Sequence, residues 1–82
     1  MYAMDALKDA AANAGLSMYR ISKEIGKSKQ FLSTTIRKGS VPRCDNMHRM
    51  LNVCGYALCA VPKDEVNNTM LVIDDAEPRK DA

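Results

Sequence analysis

Apolar positions recur three and four residues apart as far as about residue 55, and beyond it they gather into short unbroken runs. Met4, Leu7, Ala11 and Ala14 predict a first helix over 3–14, rich in the best helix former and stopped at Gly15, with Asp5, Lys8 and Asp9 toward water. Leu16 stands where a hydrophobic staple would tuck under the next helix. Ser17 then offers its hydroxyl to the amide of Tyr19 or Arg20, and Ile21 and Ile25 share one face of a short second helix that Gly26 ends. Ser28 is expected to cap a third helix with Leu32, Thr35 and Ile36 on its inner face. Its other face carries Lys29, Gln30, Ser33, Thr34 and Arg37, and Gly39 closes it ahead of Pro42. Val41 and Pro42 are expected to anchor the following loop. A fourth helix over Cys44–Cys54 aligns Met47, Met50, Leu51 and Cys54 and stops at Gly55.

After Gly55 the runs Tyr56–Pro62 and Thr69–Asp74, the second rich in β-branched residues, flank a polar hinge and predict a β-hairpin. Both strands are apolar on both faces, and a lone hairpin is marginal in water, so they need a further partner. The economical one is the same hairpin of a second copy, with Tyr56, Leu58, Val61, Met70 and Val72 as the contact residues. The alternative is a hairpin folded back on its own helices. Residues 75–82 are charged, contain proline and are expected to be disordered.

Two capped helices joined at a glycine read as a helix-turn-helix, with Ser22 small enough for the helices to approach closely. The residues Ile21-Ser22, Gly26 four residues after Ser22, Ser28, Leu32-Ser33 and a closing glycine followed by proline resemble the helix-turn-helix of the phage-repressor and Cro-like (XRE-type) family. The resemblance spans residues 3–55. It departs from that pattern at Lys27 and Thr35, where the family usually has aliphatic residues, and at the closing glycine, which comes one residue late; Ile36 would then stand in for Thr35. The resemblance implies a mainly α fold, a lambda-repressor-like bundle of about four helices, here with a C-terminal β-hairpin. Residues 1–55 would form the DNA-binding domain and 56–74 the dimerisation element. The added strands are similar to those of Hip-type antitoxins, which dimerise through them.

Charge sharpens this picture. The 82 residues carry a net charge of +2, but Leu16–Arg43 holds seven basic residues and the single acid Glu24, whereas the remainder holds five basic residues and nine acids. Positive charge therefore coincides with the two-helix motif, the footprint of phosphate binding. Lys29, Gln30, Ser33 and Thr34 are the candidate base readers, because lysine suits guanine, glutamine suits adenine and hydroxyls suit either. Ser17, Tyr19, Arg20, Lys27, Ser28, Arg37, Lys38 and Arg43 are the candidates for the DNA backbone, with the loop from Lys38 to Arg43 a phosphate contact in the resembling family. Phe31 is either a core residue or a ring that touches a thymine methyl.

These readings lead to a cytoplasmic, sequence-specific transcriptional regulator, a repressor in its simplest form, that binds double-stranded DNA as a homodimer at an inverted repeat. An antitoxin-type module that neutralises a toxin partner and autoregulates its operon is the competing function, motivated by the apolar hairpin and acidic tail. The chain is short enough for one small core and gains from an interface. No run approaches the roughly 18 apolar residues of a membrane span, and no signal-peptide pattern opens it. The three cysteines form no Cys-x-x-Cys pair and read as reduced, buried thiols. Cys44 and His48 have a ligand-like spacing of four, but with no second pair no metal is expected, nor any other cofactor. A single histidine and no nucleophile–base arrangement point away from an enzyme, and scarce exposed aromatics away from RNA.

Overall fold

The computed structural model describes residues 1–74; the tail expected to be disordered lies outside the described residues. Its elements are helices α1 (Ala3–Ala14), α2 (Met18–Glu24), α3 (Phe31–Lys38) and α4 (Cys44–Val53), followed by a single 3-10 turn over Lys63–Glu65. The chain is thus mainly helical, with four α-helices and no strand among the described residues. No helix among them is long and apolar enough to cross a membrane.

Each helix contributes one large, fully buried apolar side chain to a common centre, Leu7, Ile21, Leu32 and Met50. Removing four such side chains from water is the main favourable term in a domain this small. On α1 the buried stripe is Met4, Ala6, Leu7, Ala10 and Ala11, whereas Ala14, expected on the same stripe, is exposed because the helix turns past the core by its last residue. The amides of Gly15 and Leu16 donate to the carbonyls of Ala12 and Ala11 at 3.1 and 2.9 Å, closing α1, and Leu16 packs against the core. On α4, Met47, Met50 and Leu51 are buried, and Cys54 after its end.

α2 begins as expected, with Ser17 Oγ accepting from the Arg20 amide at 3.1 Å. At its other end Gly26 adopts φ 78° and the Lys27 amide donates to the Ser22 carbonyl at 3.0 Å. A Cβ there would meet nothing within 4 Å, so a side chain is disfavoured by backbone conformation alone. Gly26→Ala is therefore expected to destabilise the fold by about 1–2 kcal/mol, read as a lower urea midpoint with unchanged slope. An unshifted midpoint would mean that the turn re-forms with negative φ.

The start of α3 differs from expectation. The helix begins at Phe31, not after Ser28; Ser28 is exposed, and Gln30 occupies the cap position with no side-chain hydrogen bond. Ser28 instead opens a tight turn in which its carbonyl accepts from the Phe31 amide at 3.1 Å. The hydroxyl that serves α3 comes from α2. Ser22, completely buried, accepts from the Leu32 amide at 3.3 Å and donates to the Met18 carbonyl at 2.9 Å. Ser22 is thus more than a small residue at a crossing, because it satisfies one of the orphan amides of the next helix's first turn.

Ile36 does not replace Thr35 in the core. It is 36% exposed, Thr35 is half-buried with its hydroxyl donating to the Phe31 carbonyl at 2.9 Å, and Leu32 alone of α3 is buried. α3 docks by its first turn, and its last turn stands over the surface between α1 and the following loop. In that loop Pro42 is half-buried but Val41 is 51% exposed, so Val41 is no anchor. Of the cysteines only Cys54 is buried, and burial pushes its thiol pKa up; Cys44 and Cys59 are exposed.

Residues 56–74 do not pair as a hairpin within one chain. Among the described residues no backbone hydrogen bond joins the two legs. Tyr56, Leu58 and Leu71 lie against the helical core instead. Tyr56 accepts from Asn13 Nδ2 at 2.9 Å, and the polar bend is closed by Asn67 Oδ1, which accepts from the Thr69 amide at 2.9 Å. Near the end of the return leg, the Met1 ammonium pairs with Asp74 and donates to the Val72 carbonyl. That ammonium, by hydrogen bond and charge, holds the Asp74 carboxyl below its usual pKa. Apolar side chains that find the helices have less to gain from pairing with each other, which is how tertiary packing overrides β-propensity here.

Candidate nucleic-acid interface

α2, the turn Ile25–Gln30 and α3 form a unit fixed by Ser22 and the buried pair Ile21 and Leu32. Its outer side gathers most of the polar residues singled out from the sequence. Lys29 and Gln30 lie in the turn that leads into α3 rather than on the helix, and both are exposed. Ser33 is exposed and Thr34 half-buried on α3 itself. A shallow depression lined by Ser28, Phe31, Thr34, Thr35, Lys38 and Ser40 runs along this face, so Ser28 and Lys38 border the same surface from opposite ends of α3.

The cations differ in how they are held. Arg20 Nε donates to Glu24 Oε1 at 2.8 Å, an i,i+4 pair on the exposed side of α2 that occupies the one carboxylate of the basic stretch. Arg43 Nε lies 3.5 Å from Asp45 Oδ1 where the loop enters α4. Lys27 Nζ sits 5.6 Å from the centroid of the Phe31 ring, and Lys29 Nζ sits 5.6 Å from that of Tyr19. Arg37 and Lys38 are exposed in the last turn of α3, where positive side chains also complement the helix dipole. Ser17, exposed before α2, keeps its hydroxyl proton for an outside acceptor while its oxygen caps the helix.

Phe31 packs against the core and carries Lys27 on its ring, which favours the packing alternative for it. The sequence reading missed both ring seats. The spacing of four between Lys27 and Phe31 was a legible signal, but the ten residues between Tyr19 and Lys29 cross the turn and gave none.

A second surface lies on residues 56–74. An apolar groove lined by Leu58, Val61, Val66, Met70, Val72 and Ile73 includes four of the five expected contact residues, Leu58, Val61, Met70 and Val72. Tyr56 and Leu58 are committed to the chain's own helices, and Val72 is half-buried at the groove. Val66 and Ile73, each 40% exposed, were not among the expected residues. The polar hinge hides Val66 from an alternation rule, and Ile73 sits one residue from the end of the apolar run.

Cys44 and His48 are both exposed on α4, and among the described residues no three His, Cys, Asp or Glu side chains come together to hold a metal ion. Chemically, the α2–α3 face offers hydrogen-bond donors and fixed positive charge, which suits an anionic, acceptor-rich ligand. Comparison of the chain with protein-family models, with curated proteins and with solved structures finds no match.

Proposed function

We propose that this chain is a sequence-specific regulator of transcription, a repressor, which binds double-stranded DNA through a lambda-repressor-like helix-turn-helix formed by α2 and α3. The observation that carries this reading is the composition of the outer face. Lys29, Gln30, Ser33 and Thr34 are displayed beside Lys27, Arg37 and Lys38, while the only acid of the stretch is engaged by Arg20. α3 and its lead-in turn enter the major groove, where Lys29 and Gln30 meet base edges first and Ser33 and Thr34 follow. Ser17, Arg20, Lys27, Ser28, Arg37, Lys38 and Arg43 hold the phosphates on either side and fix the register, with the exposed Tyr19 ring beside them.

Two copies reading successive major grooves about 34 Å apart require an inverted repeat. Residues 56–74 supply the contact between them, either as a hairpin that forms across the two copies or as two apolar grooves laid together, burying Val61, Met70 and Val72. The protein works in the cytoplasm and needs no cofactor. The test is sedimentation of the protein alone and with a pool of random duplex DNA, with sequencing of the retained fraction. A dimer that enriches an inverted repeat with half-sites one turn apart supports the reading, and retention without preference defeats it.

Single substitutions separate the two classes of contact. Gln30→Ala is expected to cost on the order of 1–3 kcal/mol on the enriched duplex and little on unrelated DNA. Arg43→Ala is expected to weaken both similarly and to flatten the salt dependence, as measured by fluorescence anisotropy. Equal losses on both DNAs for Gln30→Ala would remove Gln30 from the base readers.

The exposed apolar groove with Val66, Met70 and Ile73 favours a second reading, an antitoxin-type module that holds a toxin partner and regulates its own operon. A stable complex with the product of a neighbouring gene, seated on this groove, would support it. An unoccupied homodimer in the native host argues against it.

A further inference from the structure

We propose that Tyr19 is a positioning residue for Lys29, and that Lys29 held in this way selects guanine on duplex DNA; the inference rests on the DNA-binding reading above. Tyr19 belongs to the first turn of α2 and is 47% exposed, so its ring is not spent on the core. The Lys29 ammonium lies 5.6 Å from the centre of that ring. Among the described residues Lys29 has no carboxylate partner, and the nearest acid in sequence, Glu24, is paired with Arg20.

A ring face holds a cation differently from a carboxylate. It attracts the charge through its quadrupole but leaves the ammonium's N–H donors able to turn outward. The backbone beneath Lys29 is also fixed, since the Phe31 amide donates to the Ser28 carbonyl at 3.1 Å and the Thr34 amide to the Gln30 carbonyl at 2.8 Å. Lys29 therefore loses much of its rotamer freedom before DNA arrives, and that loss no longer opposes binding. A lysine at the lead-in of α3 meets a base edge with two acceptors only at guanine, whose O6 and N7 both face the major groove. Lys27, seated on Phe31, shares the geometry but leans on a ring that packs against the core, so Tyr19 is the brace that can be removed without touching the fold.

Two measurements test this. In the free protein, NMR should show the Lys29 ε-methylene protons shifted upfield by the ring current, with the shift kept in Tyr19→Phe and lost in Tyr19→Leu. On the duplex enriched from a random pool, Tyr19→Phe should bind as the parent does, and Tyr19→Leu should bind about two- to fivefold more weakly. In a Lys29→Met background Tyr19→Leu should have no further effect, and Lys29→Met should lose the preference for the enriched duplex over a version whose half-site G·C pairs are changed to A·T.

An equal loss for Tyr19→Phe and Tyr19→Leu would overturn the proposal in favour of a phosphate contact by the hydroxyl. Independent losses for Tyr19→Leu and Lys29→Met would overturn it as well. Failure of the two levels is distinguishable: a missing ring-current shift overturns the brace itself, whereas a normal shift with no enriched sequence overturns the guanine assignment through the function on which it rests.

Discussion

Leu32→Ala is expected to lower the unfolding free energy by about 2–5 kcal/mol, the range for a fully buried leucine whose cavity collapses only in part. A domain of 82 residues has on the order of 4–12 kcal/mol in total. At roughly 4–8 °C per kcal/mol for a chain of this size, the thermal midpoint should fall by about 8–40 °C, followed by circular dichroism. The expectation follows from position more than from residue type. Leu32 is the one buried side chain of α3, and its amide also donates to the Ser22 hydroxyl oxygen, so the same residue joins α3 to the core and to α2. Ile36→Ala, four residues on along the same helix, is the control. Ile36 lies at the margin with Tyr2 and Lys8 of the α1 end, and its truncation should cost less than about 1 kcal/mol. Comparable losses at the two positions would mean that α3 docks along its whole length.

Much of this architecture is legible in the sequence because it depends on local rules. α1 spans the residues that alanine content and the glycine stop predict, and the methionine stripe of α4 is the buried one. The misplacements arise where a distant group supplies what a local one was expected to supply. Ser28 satisfies every local condition for a cap, yet the serviceable hydroxyl belongs to Ser22, six residues earlier and on another helix, and α3 starts two residues late. That shift moves Lys29 and Gln30 from the helix to its lead-in turn. It also brings Lys29 over Tyr19, a contact that no periodicity encodes. Residues 56–74 show the same principle on a larger scale. Val72 and its neighbours have the composition of a strand, but Tyr56, Leu58 and Leu71 already have apolar partners on the helices. A strand needs a second strand as well as propensity, and a single copy leaves the groove of Val61, Val66 and Met70 without one.

If the basic face binds DNA, raising monovalent salt from 50 to 200 mM should weaken the complex by about 10³–10⁵-fold. Five cations per copy are candidates for phosphate, Arg20, Lys27, Arg37, Lys38 and Arg43, which sets an upper limit of about ten in a dimer. Arg20 is shared with Glu24 and Arg43 with Asp45; a count without these two ion pairs gives three phosphate contacts per copy, or about six in the dimer. At about 0.9 per phosphate on duplex DNA, a plot of log affinity against log salt should slope between roughly −5 and −9. The ion pairs make the slope adjustable. Glu24→Gln removes the carboxylate that holds the Arg20 guanidinium, in an exposed pair whose own contribution to stability is small. It should therefore steepen the slope by about two in the dimer, one phosphate for each copy, without lowering the unfolding midpoint appreciably. A slope shallower than about −2, unmoved by Glu24→Gln, would identify the basic stretch as a solvated face. The first result would tie a charge count made on the sequence to a pairing visible only in the fold, because it is the pairing that decides how many of the cations are left for phosphate.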